Sequence, residues 1–354
     1  MKLAKRAIFL VGLYKVSFPL VEFTRSYYNI YFNPSTVNEH NYQRLQERYY
    51  TQGSDSKENK PYALVTGASE GIGREIALEL AQSGFNLVLA SRSMEKMQFA
   101  RDYIMKQLKE PIQIDLISID LSTGNTEQIE QLFKEATINV DGTQRNLKIL
   151  VNNAGIAKRS PFFDLDPQMI QDMIIVNLYG QTFLTKHYLN YIKQRKDLLE
   201  KQKMFQTSDR FAVIHLSSFV SEFRMQNNAV YSATKIYNKI FGHMTGFQAS
   251  MGNRFNQRRY GQVQSQLDTI IVKPAYVTTA MTGYKKGRFA VEPQETAQGI
   301  FRNLGSLYQT YGASPHNLLG YTFMYFPPFV IHQMMLKKPL SIKSQPKSNP
   351  PQEN

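Results

Sequence analysis

The chain has 354 residues, 42% apolar and 12% aromatic, which provides for a sizeable core and argues against global disorder. It has no cysteine, which excludes disulfides, thiolate catalysis and any zinc site built on cysteine, and its six histidines are scattered without metal-ligand spacing. The formal charge of +14 is spread over small clusters rather than one block, so it points to a phosphorylated cofactor or a membrane surface and not to nucleic acid.

Lys2, Lys5 and Arg6 precede an apolar run over residues 7–21, which Lys15 interrupts and Pro19 bends. A spanning helix needs roughly 20 mostly apolar residues, and this run is shorter. It reads as a signal anchor, an interfacial helix or a targeting presequence, with a helix docked on the protein body as the plainer alternative. Tyr27, Tyr28 and Tyr31 suit a headgroup layer. Residues 1–32 are thus expected to be an apolar anchor or targeting segment, and residues 33–60 a polar linker with a short helix around 39–50.

From Tyr62 the pattern changes. Strands are predicted at 62–65, 86–90, 112–119, 148–151, 211–216 and 269–273. Between them, helices are predicted at about 73–82, 94–109, 128–136, 167–195 and 228–251. Gly84 closes the first of these helices, and Asp141-Gly142 marks a turn. Short apolar strands alternating with helices predict an α/β fold: a doubly wound, mostly parallel sheet, the Rossmann fold, with apolar N- and C-terminal extensions. Two polar insertions, 193–210 and 252–266, read as solvated extensions. A seventh strand is expected at 321–325, closing a catalytic domain over 61–325. An apolar helix from about Phe329 and a disordered polar tail would then fill 326–354.

Residues 66–73 read Thr-Gly-Ala-Ser-Glu-Gly-Ile-Gly, between the first strand and its helix. Glycines there let the chain turn tightly and let the backbone approach a pyrophosphate, which the helix N-terminal amides then face. Arg92 follows the second strand, where an NAD site carries an acid about 20 residues beyond the glycines. A guanidinium suits a 2′-phosphate instead, so the expected cofactor is NADP(H). Asp120 either accepts a hydrogen bond from an adenine amino group or caps a helix. Asn152, Asn153, Ala154 and Gly155 close the fourth strand, where asparagine side chains can brace neighbouring backbones beneath a cofactor.

Tyr231 and Lys235 stand four apart in a helical segment, on one face. An ammonium beside a phenol lowers its pKa. Ser218, just past the fifth strand, is placed to donate to a substrate carbonyl. Asn177 is a lone polar residue among Ile174, Ile175, Val176 and Leu178, able to hold a water connecting to Lys235. Each of these has a plain structural alternative, and the combination carries the assignment.

In these motifs the chain resembles the short-chain dehydrogenases/reductases. Their TGxxxGxG pattern stands as TGASEGIG at 66–73, their NNAG at 152–155, and their Asn–Ser–Tyr–Lys tetrad as Asn177, Ser218, Tyr231 and Lys235. Their P-G-x-V-x-T element stands as Pro274-Ala275-Tyr276-Val277-Thr278-Thr279, with Ala275 departing from glycine. The resemblance spans roughly 61–325. It implies cofactor contacts at Gly67, Ser69, Gly71, Ile72, Gly73, Arg92, Asp120, Asn153, Ala154, Gly155, Tyr231, Lys235, Pro274, Val277 and Thr279, and no metal. The segment GFNLVLASRSMEKM and the apolar ends narrow it to the 17β-hydroxysteroid dehydrogenase type 12 / very-long-chain 3-oxoacyl-CoA reductase group. That likeness implies NADPH, and a membrane location in the endoplasmic reticulum, with a mitochondrial membrane as the alternative.

The expected chemistry is reduction of a lipid carbonyl, a 3-oxoacyl-CoA or a steroid ketone. Ser218 steadies the carbonyl oxygen, Tyr231 is the general acid, and Lys235 tunes Tyr231 and holds the nicotinamide ribose. The substrate pocket is expected between Ala280 and Pro293, with Met281, Tyr284 and Phe289 as apolar wall. Lys285, Lys286 and Arg288 stand where a phosphate-bearing group such as coenzyme A would lie. Expected partners are that substrate, a membrane surface or bilayer, and a second copy or a larger membrane complex. The competing reading is a non-catalytic or vestigially catalytic accessory subunit of a membrane assembly.

Overall fold

The computed structural model describes residues 37–50, 60–139, 141–201, 209–223, 225–251, 266–287 and 289–324, with single residues between 17 and 28 and between 326 and 331. In chain order these form α1 Val37–Tyr49, β1 Tyr62–Thr66, α2 Gly71–Gln82, β2 Asn86–Ser91, α3 Met94–Met105, β3 Ile114–Ser118, α4 Thr126–Thr137 and β4 Leu147–Asn152. Then follow α5 Pro167–Ile174, a π-helical stretch Ile175–Gly180, α6 Gln181–Lys201, β5 Phe211–Leu216, α7 Ala229–Met251, β6 Leu267–Val272, α8 Pro293–Asn303, β7 Gln309–Thr310 and α9 Ser314–Phe323.

The seven strands make one sheet in the order β3-β2-β1-β4-β5-β6-β7, every pairing parallel. The order reverses between β1 and β4, so their carboxyl ends splay apart and leave a crevice at the switch point. The central strands are buried on both faces, which is why they read as near-continuous apolar runs. Their side chains still alternate: Ala63, Val65, Leu87 and Leu89 enter one core with Ile76 and Leu80 of α2 and Phe301 of α8. Leu64, Val88 and Ala90 enter the other with Leu132 and Phe133 of α4 and Leu184 and Tyr188 of α6.

The helix expected around 39–50 is α1, and it is docked. Arg48 grips Asp268 of β6 with two bonds of 2.6 and 2.8 Å, and Tyr49 donates to the same carboxylate at 2.8 Å. Leu45 and Tyr49 are buried in the first core.

Three expectations change. The seventh strand is not 321–325 but the two residues of β7, while Tyr321 lies in α9. Pro315 in the first turn starts that helix, and Tyr321 packs edge-on against Tyr311. The single helix expected over 167–195 is broken by the π-helical stretch and continues to Lys201. The membrane location, endoplasmic reticulum or mitochondrial, is overturned: among the described residues no helix is long and apolar enough to cross a membrane. The long α6, for example, carries charges along its whole length, from Lys186 through Arg195 to Lys201. The apolar run at 7–21, the insertion at 252–266 and the terminal helix and tail lie largely outside the described residues.

Candidate active site

The turn after β1 is built so that backbone lies bare. Gly67 and Gly71 have φ of +63° and +59°, the left-handed region that other residues resist. A Cβ on Gly73 would stand 2.3 Å from the Gly67 carbonyl oxygen and 2.4 Å from Asn153 Nδ2, so nothing larger fits. The Thr66 hydroxyl donates to the Val151 carbonyl at 3.0 Å and accepts from the amides of Asn153 and Ala154, each at 3.1 Å. Asn153 Nδ2 donates to the carbonyls of Thr66 and Gly67 at 2.9 and 3.0 Å. These bonds lace the ends of β1 and β4 together, so Asn153 does the bracing expected of both asparagines, while Asn152 instead donates to the Thr185 hydroxyl at 2.9 Å.

Gly67, Ser69, Gly71, Ile72, Gly73, Arg92, Asp120, Asn153, Ala154, Gly155 and Thr279 all line one cavity of about 230 Å³ over this turn. Asp120 does what the cap reading expects: its Oδ1 accepts from the amide and hydroxyl of Ser122, at 2.9 and 2.8 Å, opening the short helix Leu121–Thr123. Its place in the cavity wall keeps it within reach of a ligand as well. Ser91 was not singled out from the sequence. Its hydroxyl lies 3.1 Å from that of Ser69, and both serines line the cavity that Arg92 also lines.

A neighbouring cavity of about 540 Å³ is lined by Ser218, Tyr231, Lys235, Pro274 and Val277, and shares Asn153, Gly155, Thr279 and Met281 with the first. Of the expected substrate wall, Met281, Lys285 and Phe289 line it. Tyr284 and Lys286 face a separate cavity, and Arg288 lies outside the described residues. Among the described residues no carboxylate lines the 540 Å³ cavity, and its remaining cations are Arg159 and Lys235.

The tetrad assembles from three separate elements. Ser218 opens the tight turn after β5, its hydroxyl 3.5 Å from the Pro274 carbonyl, and lines the same cavity as Tyr231. Lys235 sits one turn beyond Tyr231 on α7 and donates to the Leu216 carbonyl at 2.8 Å. Its ammonium lies 5.7 Å from the Tyr231 ring centre. Asn177 falls inside the π-helical stretch, a geometry that recurs at functional sites. Its Nδ2 donates to the Ile156 carbonyl at 2.9 Å and to Thr234 Oγ1 at 3.0 Å, and its Oδ1 accepts from the Ile156 amide at 2.8 Å. Asn177 and Lys235 converge on Gly155, where an added Cβ would be 3.2 Å from both Asn177 Oδ1 and Lys235 Nζ. Thr234 and Ser217 were not found from the sequence. Ser217 donates to the Lys235 carbonyl at 2.7 Å and ties β5 to α7. Both look like ordinary small polar residues until the fold supplies their partners.

One electrostatic expectation is reversed. Burial pushes the Tyr231 hydroxyl up to about 12, with the Ser218 hydrogen bond acting the other way. Burial likewise pushes Lys235 down to about 8. The protein's own groups thus hold Tyr231 as a protonated donor across neutral pH rather than as a ready phenolate.

Residues 61–287 match the protein family described as short chain dehydrogenase. The chain is similar to a very-long-chain 3-oxoacyl-CoA reductase of Anas platyrhynchos, 26% identical over 80% of this chain and 81% of the relative. It is also similar to a 17-beta-hydroxysteroid dehydrogenase type 3 of Danio rerio, 25% identical over 76% and 78%. Among solved structures it shares its fold with an alcohol dehydrogenase from the archaeon Thermococcus sibiricus, complexed with 5-hydroxy-NADP. That likeness has a TM-score of 0.53 at 22% identity and covers 69% of this chain and 89% of the other.

Proposed function

Since the chain belongs to the short-chain dehydrogenase family, we propose that it is an NADPH-dependent reductase of an apolar carbonyl compound, with Tyr231 as general acid. One arrangement carries this reading: Ser218 and Tyr231 line one apolar-walled cavity that adjoins the glycine turn. The cradle suits a dinucleotide, because glycine at position 73 lets the start of α2 pack against the Gly67 backbone and so present its amides over the turn. Arg92 with the Ser69 and Ser91 hydroxyls would hold a 2′-phosphate, and the Thermococcus relative crystallised with an NADP derivative supports that choice. When bound, NADPH supplies the hydride. Ser218 donates to the carbonyl oxygen as charge builds there, and Tyr231 delivers the proton. Lys235 holds the nicotinamide ribose. Asn177 fixes the Ile156 backbone and, through Thr234, the helix that carries Tyr231.

The cavity wall favours one of the two substrate classes named by the relatives. Arg159 and Lys285 line it, and neither has a carboxylate partner among the described residues. An apolar cavity with unpaired cations suits an acyl chain on an anionic carrier, such as a 3-oxoacyl-CoA, better than a neutral steroid ketone. The test is NADPH oxidation by the purified chain against both classes. Turnover of the oxoacyl thioester is expected, with a lower KM for NADPH than for NADH. Replacing Arg159 and Lys285 by Ala should raise KM for the thioester about tenfold with kcat held, as loss of uniform binding does. A preference for NADH, or no reduction of either class, would refute the reading.

The pH profile gives a second check. With Lys235 at about 8 and Tyr231 at about 12, the free enzyme carries a lysine cation and a neutral phenol below pH 8. As pH rises through about 8 the lysine loses its proton first. The value of kcat/KM for NADPH, which reports groups of the free enzyme, is therefore expected to be level below that point and to fall above it. A profile that rises through the same window would contradict the role given to Lys235.

A further inference from the structure

Glu222 lies four residues past Ser218, and no step above uses it. Residues 218–222 form one tight turn: the Ser221 amide donates to the Ser218 carbonyl at 3.0 Å and the Glu222 amide to the Phe219 carbonyl at 3.1 Å. The Glu222 carboxylate then bridges two cations from different elements. Its Oε1 accepts from Lys273 Nζ at 2.7 Å and its Oε2 from Lys239 Nζ at 2.8 Å.

Both cations lead back to the reaction site. Lys239 is one turn beyond Lys235 on α7. Lys273 directly precedes Pro274, whose carbonyl accepts from the Phe219 amide at 2.9 Å and faces the Ser218 hydroxyl. Lys273 is almost fully buried, held otherwise by Gln309 at 3.0 Å and by the Tyr311 ring at 4.4 Å. Among the described residues, His243 and Tyr311 also face this cluster. Burial acts to raise the Glu222 carboxyl, but the two ammoniums hold it below the usual carboxylate range. Without that carboxylate, two ammoniums drawn to its opposite oxygens would face each other, and the turn, α7 and the end of β6 would lose their common tie.

We propose that Glu222 is a positioning residue for carbonyl reduction, clamping the Ser218 turn to α7 and to the end of β6 so that the Ser218 and Tyr231 hydroxyls meet one substrate oxygen. The proposal rests on the functional reading given above for those two hydroxyls. A misplacement of about 1 Å in such a pair can cost a hundredfold.

The experiment is a mutant cycle on the 354-residue chain, assayed by NADPH oxidation and by NADPH titration. Glu222→Gln is expected to lower kcat about ten- to a hundredfold while NADPH affinity stays near wild type. In a Ser218→Ala background the same substitution should cost little more, because the group it positions is gone. If Glu222→Gln does not fold, the pair Glu222→Gln/Lys273→Met, which also removes the buried cation, takes its place with the same expectations. Unchanged kcat, or an equal loss with and without Ser218, overturns the positioning role alone. A wild-type chain that reduces no carbonyl overturns the function and this role with it.

Discussion

Tyr231→Phe is expected to lower kcat about 10²- to 10⁴-fold, the usual contribution of a positioned general acid, while NADPH binding stays close to wild type. The substitution removes one oxygen and keeps the ring. The ring's place over the Lys235 ammonium, 5.7 Å away, survives, as does the Lys235 bond to the Leu216 carbonyl. Ser218 keeps the Val220 amide and the Pro274 carbonyl nearby. What disappears is a phenol that burial keeps protonated through neutral pH, in the cavity that Ser218 also lines. Single-turnover kinetics with NADPH separate this from a binding defect, since the loss must fall on the chemical step. Turnover at the wild-type rate in the Phe variant would remove Tyr231 from the reaction.

Gly73→Ala is the second substitution with a large expected effect, and it acts on the cofactor. The new Cβ would stand 2.3 Å from the Gly67 carbonyl oxygen and 2.4 Å from Asn153 Nδ2. The nearer obstacle is backbone, so the turn must move rather than a flexible side chain. Moving it pulls Gly67 away from the bond it accepts from Asn153 and shifts the amides at the start of α2. We expect NADPH affinity to fall by about tenfold or more and stability to drop by about 1–3 kcal/mol, the usual cost of overpacking. Fluorescence titration of NADPH and thermal unfolding read the two effects separately. Wild-type affinity in a folded Gly73→Ala variant would show that the cradle is not where the pyrophosphate lies.

The sequence marked out the strands and most of the helices because each is written locally. Apolar runs bounded by turn residues place β1 to β6 within a few residues, and Gly84 does close α2 with its φ of +85°. The glycine turn was legible for the same reason: its requirement is for bare backbone, which only residue type can express. Tyr231 and Lys235 could be paired because four residues is one turn of helix. Other features were beyond that reach. The run around Tyr321 is as apolar as a strand and as short, so pattern alone could not tell it from the helix it forms. The π-helical stretch at Asn177 leaves no mark on periodicity.

What the amino-acid order settled by itself was the doubly wound sheet and the glycine turn, and it singled out the four residues proposed here as the tetrad, each from spacing within one or two elements. What only the tertiary structure decided was which groups face one another: α1 seated on Asp268 across some 220 residues of chain, Glu222 held between Lys239 and Lys273, and the two cations beside the substrate cavity. The direction of the Tyr231 shift belongs to the same class. Proximity of a lysine in sequence suggests an acidic phenol, but the charge a buried group can carry depends on how much water is removed from around it. That quantity is a sum over atoms from every element that packs against the site, and no short stretch of chain contains it.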